Sequence, residues 1–336
     1  MAASTPRPET QTMTRVAVLD DYQRRARGYA DWASLGPDVD VVFFHEPIDQ
    51  DALAETLARF EVLVLMRERT AFRRPVLEAL PRLQLLVTTG MRNASVDIGY
   101  LNQSGVVVCG TGGSGGASAP GIPSTAEVAW ALILAVCKRV TTEDRAIRRG
   151  QWQLGVPTNL AGATLGLAGL GHLGGAMVAP ARVFGMDVIA WSQNLTDERA
   201  GSLGVTKVTK AELLSRSDFL SVHLVLSNRT RGLFGAEDLG SMKPTAVLVN
   251  TSRGPIVDEG ALIAALRNRT IAAAGLDVYD REPLPAGHEL TTLDNVVLLP
   301  HLGYVSETGL RDMYGQVVAD IAAYLEGSPI RTVTQA

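Results

Sequence analysis

The chain has 336 residues, 46% hydrophobic and 20% charged, which is enough apolar material for about two domains of ordinary size and excludes disorder throughout. Its 31 Lys and Arg against 35 Asp and Glu leave a net charge of -4 with no basic run to track a phosphate backbone, so nucleic acid and membrane are poor partners. The two cysteines, Cys109 and Cys137, supply neither a disulfide framework nor a metal site; a cytoplasmic protein without a bound metal is expected.

In chain order, residues 1–13 are rich in Ser, Thr and Pro, lack the apolar segment of a secretory signal, and are expected as a disordered tail. From Arg15, short β-branched runs alternate with amphipathic stretches, which predicts an α/β fold of strands and helices around mostly parallel sheets. A first series of strands is expected at 16–19, 39–44, 62–66, 85–88 and 106–109, with helices over 51–60 and 75–80. A Gly, Ser and Pro stretch at 110–123 then marks a domain junction. The next helix is expected over 124–139, with Ser124 as N-cap and Glu127 completing a capping box. Its apolar run at 128–137 is about half of the ~20 residues that span a bilayer, so it reads as buried in protein. A second series of strands follows at 164–168, 187–191, 219–223, 246–250, 271–276 and 296–299, and a helix over 306–326 stops at Gly327.

Strand 164–168 runs directly into Gly169-Leu170-Gly171-His172-Leu173-Gly174, and helical character follows over 175–184. In that context the first glycine permits the turn, the second lets the main chain approach a pyrophosphate, and the third allows helix to pack on strand. His172 and Leu173 fill the variable slots of this cofactor-binding turn, His172 facing solvent. At the end of strand 187–191, where an NAD site places Asp or Glu, Ser192-Gln193-Asn194 stands instead. Asp197 is expected to cap the next helix, and the nearest downstream cation is Arg199. With Ser192 and Gln193 offering only neutral groups to the ribose, discrimination is expected to be weak, NAD slightly preferred and NADP tolerated.

Three further strings lie beyond carboxyl ends of strands, the place where open α/β sheets keep their chemistry: Asn250-Thr251-Ser252-Arg253-Gly254, the stretch from Asp277 through Glu282 to Pro283, and Pro300-His301-Leu302-Gly303. Together with the glycine turn, the strings LVNTSRGPIVDEGAL, GLDVYDREPL and LLPHLGY make the sequence resemble the D-isomer-specific 2-hydroxyacid dehydrogenase family, which includes phosphoglycerate dehydrogenases and glyoxylate or hydroxypyruvate reductases. The resemblance runs from about Arg15 to the C-terminus and is densest over 162–303. It implies two Rossmann-like doubly wound parallel-sheet domains with a cleft between them: a discontinuous substrate domain, 14–118 plus 304–336, and a dinucleotide-binding domain, 119–303. A homodimer is also implied.

By the same resemblance Arg253 binds substrate, His301 is the acid–base and Glu282 supports the histidine, while Asp277 contacts the nicotinamide carboxamide. His223, Thr251 and Gly303 fall beside the cofactor. In the first domain, Thr89, Gly90 and Met91 lie where main-chain N–H groups meet the substrate carboxylate, and Arg67 ends a strand where phosphoglycerate dehydrogenases place a substrate-binding Arg. Physical chemistry agrees with the central three. A 2-oxo acid needs a planar, permanently charged fork for its carboxylate and carbonyl oxygen, and its reduction needs a proton donor that titrates near neutrality. A carboxylate on the second imidazole nitrogen fixes the tautomer and favours the imidazolium. Formate dehydrogenases carry Gln where Glu282 stands, which argues against formate. Glu68 after Arg67, and the chain end at Ala336, make an oxo-acid reductase at least as good an expectation as a phosphoglycerate dehydrogenase. The competing class is a dinucleotide-sensing binding module, like corepressors that resemble this family; the presence of Arg253, Glu282 and His301 together favours the enzyme.

Overall fold

The computed structural model describes residues 13–112 and 122–334; the expected N-terminal tail up to residue 12 and the stretch 113–121 of the junction loop lie outside the described residues. The chain forms two compact units, Met1–Ser118 with Glu307–Ala336, and Ala119–Ser306.

The first unit is built on five parallel strands, β1 (Thr14–Val18), β2 (Val39–Phe43), β3 (Val62–Leu65), β4 (Leu85–Thr88) and β5 (Val107–Gly110), in the order β2-β1-β3-β4-β5. Every residue of β3 and β4 is buried, because helices cover both faces of a parallel sheet; hence their unbroken apolar sequences. Leu53, Leu57, Phe60 and Phe72 complete that core. Helix Glu307–Leu325 buries Met313, Val317 and Ile321 in the same unit, and the last described residues add an antiparallel bridge to β5, Val333 N donating to Val108 O at 2.8 Å.

Within that seam Asp320 is fully buried, its Oδ1 3.0 Å from Arg331 Nε. Burial outweighs the guanidinium and pushes the carboxyl up to about 6 from 3.8. A carboxyl that ionises later in the folded chain than in the unfolded one contributes stability that is complete below pH 3.8 and is lost as pH rises through about 6. Asp320→Asn, which cannot ionise, is therefore expected to gain roughly 1–3 kcal/mol on the wild-type protein between about pH 4 and pH 7 in urea unfolding. A difference between the two that does not vary with pH would contradict this.

The second unit holds seven parallel strands: β6 (Thr164–Ala168), β7 (Asp187–Trp191), β8 (Thr206–Lys207), β9 (Phe219–Val222), β10 (Val247–Asn250), β11 (Ala273–Leu276) and β12 (Val296–Leu298). Their order is β12-β11-β10-β9-β6-β7-β8, so chain direction across the sheet reverses between β6 and β9, which opens a crevice at their carboxyl ends. Helix Ser124–Cys137 lies on β10, β11 and β12, burying Ala126, Ala129 and Ile133, and Gly275 makes room, since a Cβ there would stand 2.9 Å from that of Leu132. Among the described residues no helix is long and apolar enough to cross a membrane.

Three local expectations are corrected, and one strand was not expected. Pro123, not Ser124, precedes the helix: its carbonyl accepts from Ala126 N and Glu127 N at 2.8 and 3.1 Å, so Ser124 is already helical and its side chain caps nothing. Thr196, not Asp197, caps helix Asp197–Ser202 by accepting from Arg199 N at 3.1 Å, and Asp197 instead pairs with Lys207 on β8 at 3.2 Å. Strand β8, two exposed residues long, was not expected because so short a piece has no periodicity to read. The helical stretch expected over 175–184 starts earlier and divides, His172–Ala176 and Val178–Val183, near Pro180, which has no N–H for the preceding turn.

Candidate active site

At the crevice between β6 and β9 the glycine turn is shaped by its own packing. Gly169 has φ 101°, and a Cβ on it would lie 2.4 Å from His223 O; one on Gly174 would lie 2.1 Å from Gly169 O. A Cβ on Gly171 would meet nothing within 4 Å. The first and third glycines are thus demanded by the fold, whereas the second leaves main chain open to an incoming group, which fits a pyrophosphate. His172 is exposed and Leu173 half-buried at the start of the following helix. Arg199 reaches back onto this turn, its Nε donating to Leu170 O at 3.1 Å and a terminal nitrogen to Gly171 O at 3.3 Å.

Beyond β7, Ser192, Gln193 and Asn194 line a cavity of about 290 Å³ whose other wall is the loop from Leu224 to Leu233. His223, directly after β9, holds Ser221 Oγ against its Nε2 at 2.9 Å; its Nδ1 is buried with no hydrogen-bond partner among the described residues. Burial pushes this imidazole down to about 4, so it is neutral at physiological pH. Thr251 Oγ1, after β10, is likewise buried and unpartnered among the described residues. An unmet buried polar group costs about 1–3 kcal/mol, which a bound amide or ribose hydroxyl would relieve. Both observations fit a dinucleotide whose nicotinamide end lies near the carboxyl ends of β9 and β10.

Asp277, Glu282 and His301 come together after β11 and β12. His301 sits in the left-handed region with φ 55°, which few non-glycine residues adopt. It is held there from the next two residues: Leu302 N and Gly303 N donate to the two Asp277 carboxylate oxygens at 2.7 and 2.8 Å, and Thr125 Oγ1 donates to Gly303 O at 2.7 Å. Asp277 is fully buried, and burial holds its carboxyl above the usual range despite those donors. Glu282 accepts from Tyr279 N at 3.0 Å through Oε1 and meets His301 Nδ1 at 2.5 Å through Oε2. The pairing leaves Nε2 to exchange a proton.

Arg253 follows β10 in extended conformation. Asn250 folds back over the turn, accepting from Ser252 N and donating to Arg253 O, both at 3.0 Å, while Ser252 Oγ donates to Val222 O at 2.7 Å. Gly254 packs against the turn after β11, where a Cβ would lie 2.1 Å from the Tyr279 carbonyl carbon. The structure therefore brings the Arg253 loop against the segment that carries Glu282.

In the first unit, Arg67 has φ 53°, and its N–H donates to Thr89 Oγ1 at 2.8 Å. Its guanidinium donates to Thr89 O at 3.1 Å and lies over Gly90, where a Cβ would be 2.4 Å from it. The N–H of Thr89 is taken by Leu65 O and that of Gly90 by Thr111 Oγ1, so of the three expected main-chain donors only that of Met91 has no partner among the described residues. The Leu224–Leu233 part of the cavity has no periodicity to read in the sequence; only the strand order brings it to the end of β7.

Residues 130–303 match the model of the D-isomer specific 2-hydroxyacid dehydrogenase NAD binding domain. A glyoxylate reductase of Aeropyrum pernix is 39% identical over 266 residues, covering 75% of this chain and 76% of that protein. The chain belongs to the D-isomer-specific 2-hydroxyacid dehydrogenase family. A further relative of this dehydrogenase, a D-3-phosphoglycerate dehydrogenase of Archaeoglobus fulgidus, is 32% identical over 290 residues, covering 84% of this chain but 53% of its own length. The crystal structure of a putative D-3-phosphoglycerate dehydrogenase from Ralstonia solanacearum superposes with a TM-score of 0.87 at 34% identity, covering 95% of this chain and 96% of that one. The protein is accordingly a nicotinamide-dependent oxidoreductase that interconverts a small 2-hydroxy acid and its 2-oxo form.

Proposed function

We propose that this dehydrogenase reduces a small, unphosphorylated 2-oxo acid of the glyoxylate or hydroxypyruvate kind, with Arg253, Glu282 and His301 as its working groups. The observation that carries the catalytic part of this reading is the 2.5 Å contact of Glu282 Oε2 with His301 Nδ1, which leaves the other ring nitrogen for proton exchange. A bound nicotinamide supplies the hydride in reduction and takes it up in oxidation. In reduction, imidazolium Nε2–H gives its proton to the carbonyl oxygen as negative charge builds there; in oxidation, the neutral imidazole takes the hydroxyl proton. Glu282 orients the ring through Nδ1, and Arg253 holds the substrate carboxylate through a fork of donors. To the first unit we assign a carboxylate-binding role for the Met91 N–H beside Thr89 and Gly90, with Arg67 as the neighbouring cation. Glu68 beside Arg67 disfavours a second, doubly charged phosphate on the substrate. A panel of oxo acids tests the reading: kcat/KM for glyoxylate or hydroxypyruvate is expected to exceed that for phosphohydroxypyruvate, and the reverse order would contradict it.

For the cofactor, the Gly169–Gly174 turn, His172 and Leu173 included, takes the pyrophosphate, Ser192 and Gln193 the adenosine ribose, and His223, Thr251, Asp277 and Gly303 surround the nicotinamide end. The absence of a carboxylate after β7 admits both NAD(H) and NADP(H). Gly171→Ala is expected to keep its thermal midpoint while losing about tenfold or more in dinucleotide affinity, because its Cβ is free in the protein but occupies the phosphate's approach. Unchanged affinity would remove this turn from the cofactor site. We further propose a cytoplasmic homodimer formed through Val140, Ile147, Trp152 and Val156, which are 53%, 54%, 74% and 92% exposed on one segment of the second unit. A monomer by sedimentation at micromolar concentration would count against the dimer.

A further inference from the structure

We propose that Arg229 selects the phosphorylated cofactor, by pairing with the 2′-phosphate of NADP(H) in the cavity beyond β7. The proposal rests on the dinucleotide reading of the glycine turn and adds to it a residue on a different loop.

A pyrophosphate on the Gly169–Gly174 turn sends the adenosine half of a dinucleotide toward the end of β7, where the second strand of such a sheet meets the ribose. There the structure has the cavity of about 290 Å³, close to the lower end of small-molecule pockets, which begin at about 300 Å³. One wall carries Ser192, Gln193 and Asn194, none able to repel an anion. Arg229 lines the same cavity with Ser227 and Thr230, so it holds a cation together with neutral hydrogen-bonding groups.

The main chain under Arg229 is pinned. Ser227 N donates to Thr230 Oγ1 at 2.8 Å, Thr230 Oγ1 donates to Val225 O at 2.7 Å, and Arg231 N donates to Ser227 O at 3.0 Å, which closes the turn on either side of the arginine. Its side chain is exposed and makes no hydrogen bond or ion pair among the described residues. A phosphate dianion would therefore gain a guanidinium fork without breaking an existing bond. Arg199, the cation nearest in sequence to β7, is already committed to the carbonyls of Leu170 and Gly171. Sequence alone gives a slight preference for NAD, because it contains no cation at the end of β7; the strand order supplies one from the loop after β9.

The test is calorimetric titration of the full-length, ligand-free protein with NADPH and NADH, and with adenosine 2′,5′-bisphosphate and AMP, which isolate the ribose end. NADPH is expected to bind about tenfold or more tighter than NADH, with the same order for the shorter pair, as for one charge-assisted contact. Arg229→Ala is expected to bring both ratios to about one, and Arg229→Glu to invert them by setting a carboxylate against the phosphate. Equal binding of NADPH and NADH by the wild-type protein overturns the proposal while leaving the dinucleotide site in place. So does an advantage that survives in Arg229→Ala or disappears only in Arg199→Ala. If neither NADH nor AMP binds, the dinucleotide reading fails and the proposal falls with it.

Discussion

Replacing His301 with Ala is expected to lower kcat by about 10²–10⁴-fold, the usual worth of a positioned acid–base group, while NADH affinity stays within about twofold of wild type. The size follows from the geometry. The imidazole is tied through Nδ1 to Glu282 at 2.5 Å, and its main chain is held at φ 55° by the bonds from Leu302 N and Gly303 N to Asp277. So much local structure spent on one ring leaves its free nitrogen in a fixed place, and water replacing the ring would be neither oriented nor matched in basicity. Pre-steady-state absorbance separates the chemical step from dinucleotide binding; a rate for the variant within about threefold of wild type would take His301 out of the chemistry.

Replacing Arg253 with Ala is expected to lower kcat/KM by about 10²–10³-fold, and Arg253→Lys by about 10–10², because an ammonium restores charge but not two parallel donors. The loss should fall mainly on KM for the oxo acid, with dinucleotide affinity little changed. Asn250, Ser252 and Gly254 pin the main chain on both sides of the arginine, so the substituted loop keeps its shape and the comparison reads the side chain alone. Near-normal kcat/KM in Arg253→Lys would mean that the two-pronged contact is not what holds the substrate.

Both sheets were legible in the sequence because parallel strands buried on two faces are written as unbroken apolar runs, as in β3, β4 and β10. What escaped depended on partners distant along the chain. Strand β8 is too short to carry a pattern, and the capping roles of Pro123 and Thr196 turn on which residue first adopts helical angles, a one-residue distinction that composition does not resolve. The same holds at the site. Arg253, Glu282 and His301 each stand in a compact string, but the loss of the Gly90 N–H to Thr111 joins residues 21 apart, and Arg229 shares a cavity with Ser192 only because β9 lies on the far side of β6 from β7. Asp277 belongs to both classes: it was named from its string, but its two bonds to the residues after His301 became visible only in the fold.

Hydride transfer on a D-2-hydroxy acid is measured most directly by absorbance at the reduced-nicotinamide band with the purified protein, either NAD or NADP, and matched D- and L-2-hydroxy acids. Growth of the band with a D-enantiomer, at least about a hundredfold faster than with its L-partner and abolished in His301→Ala, is the expected result. A protein that binds the dinucleotide tightly and turns over neither enantiomer of any acid tried, in either direction, would contradict it.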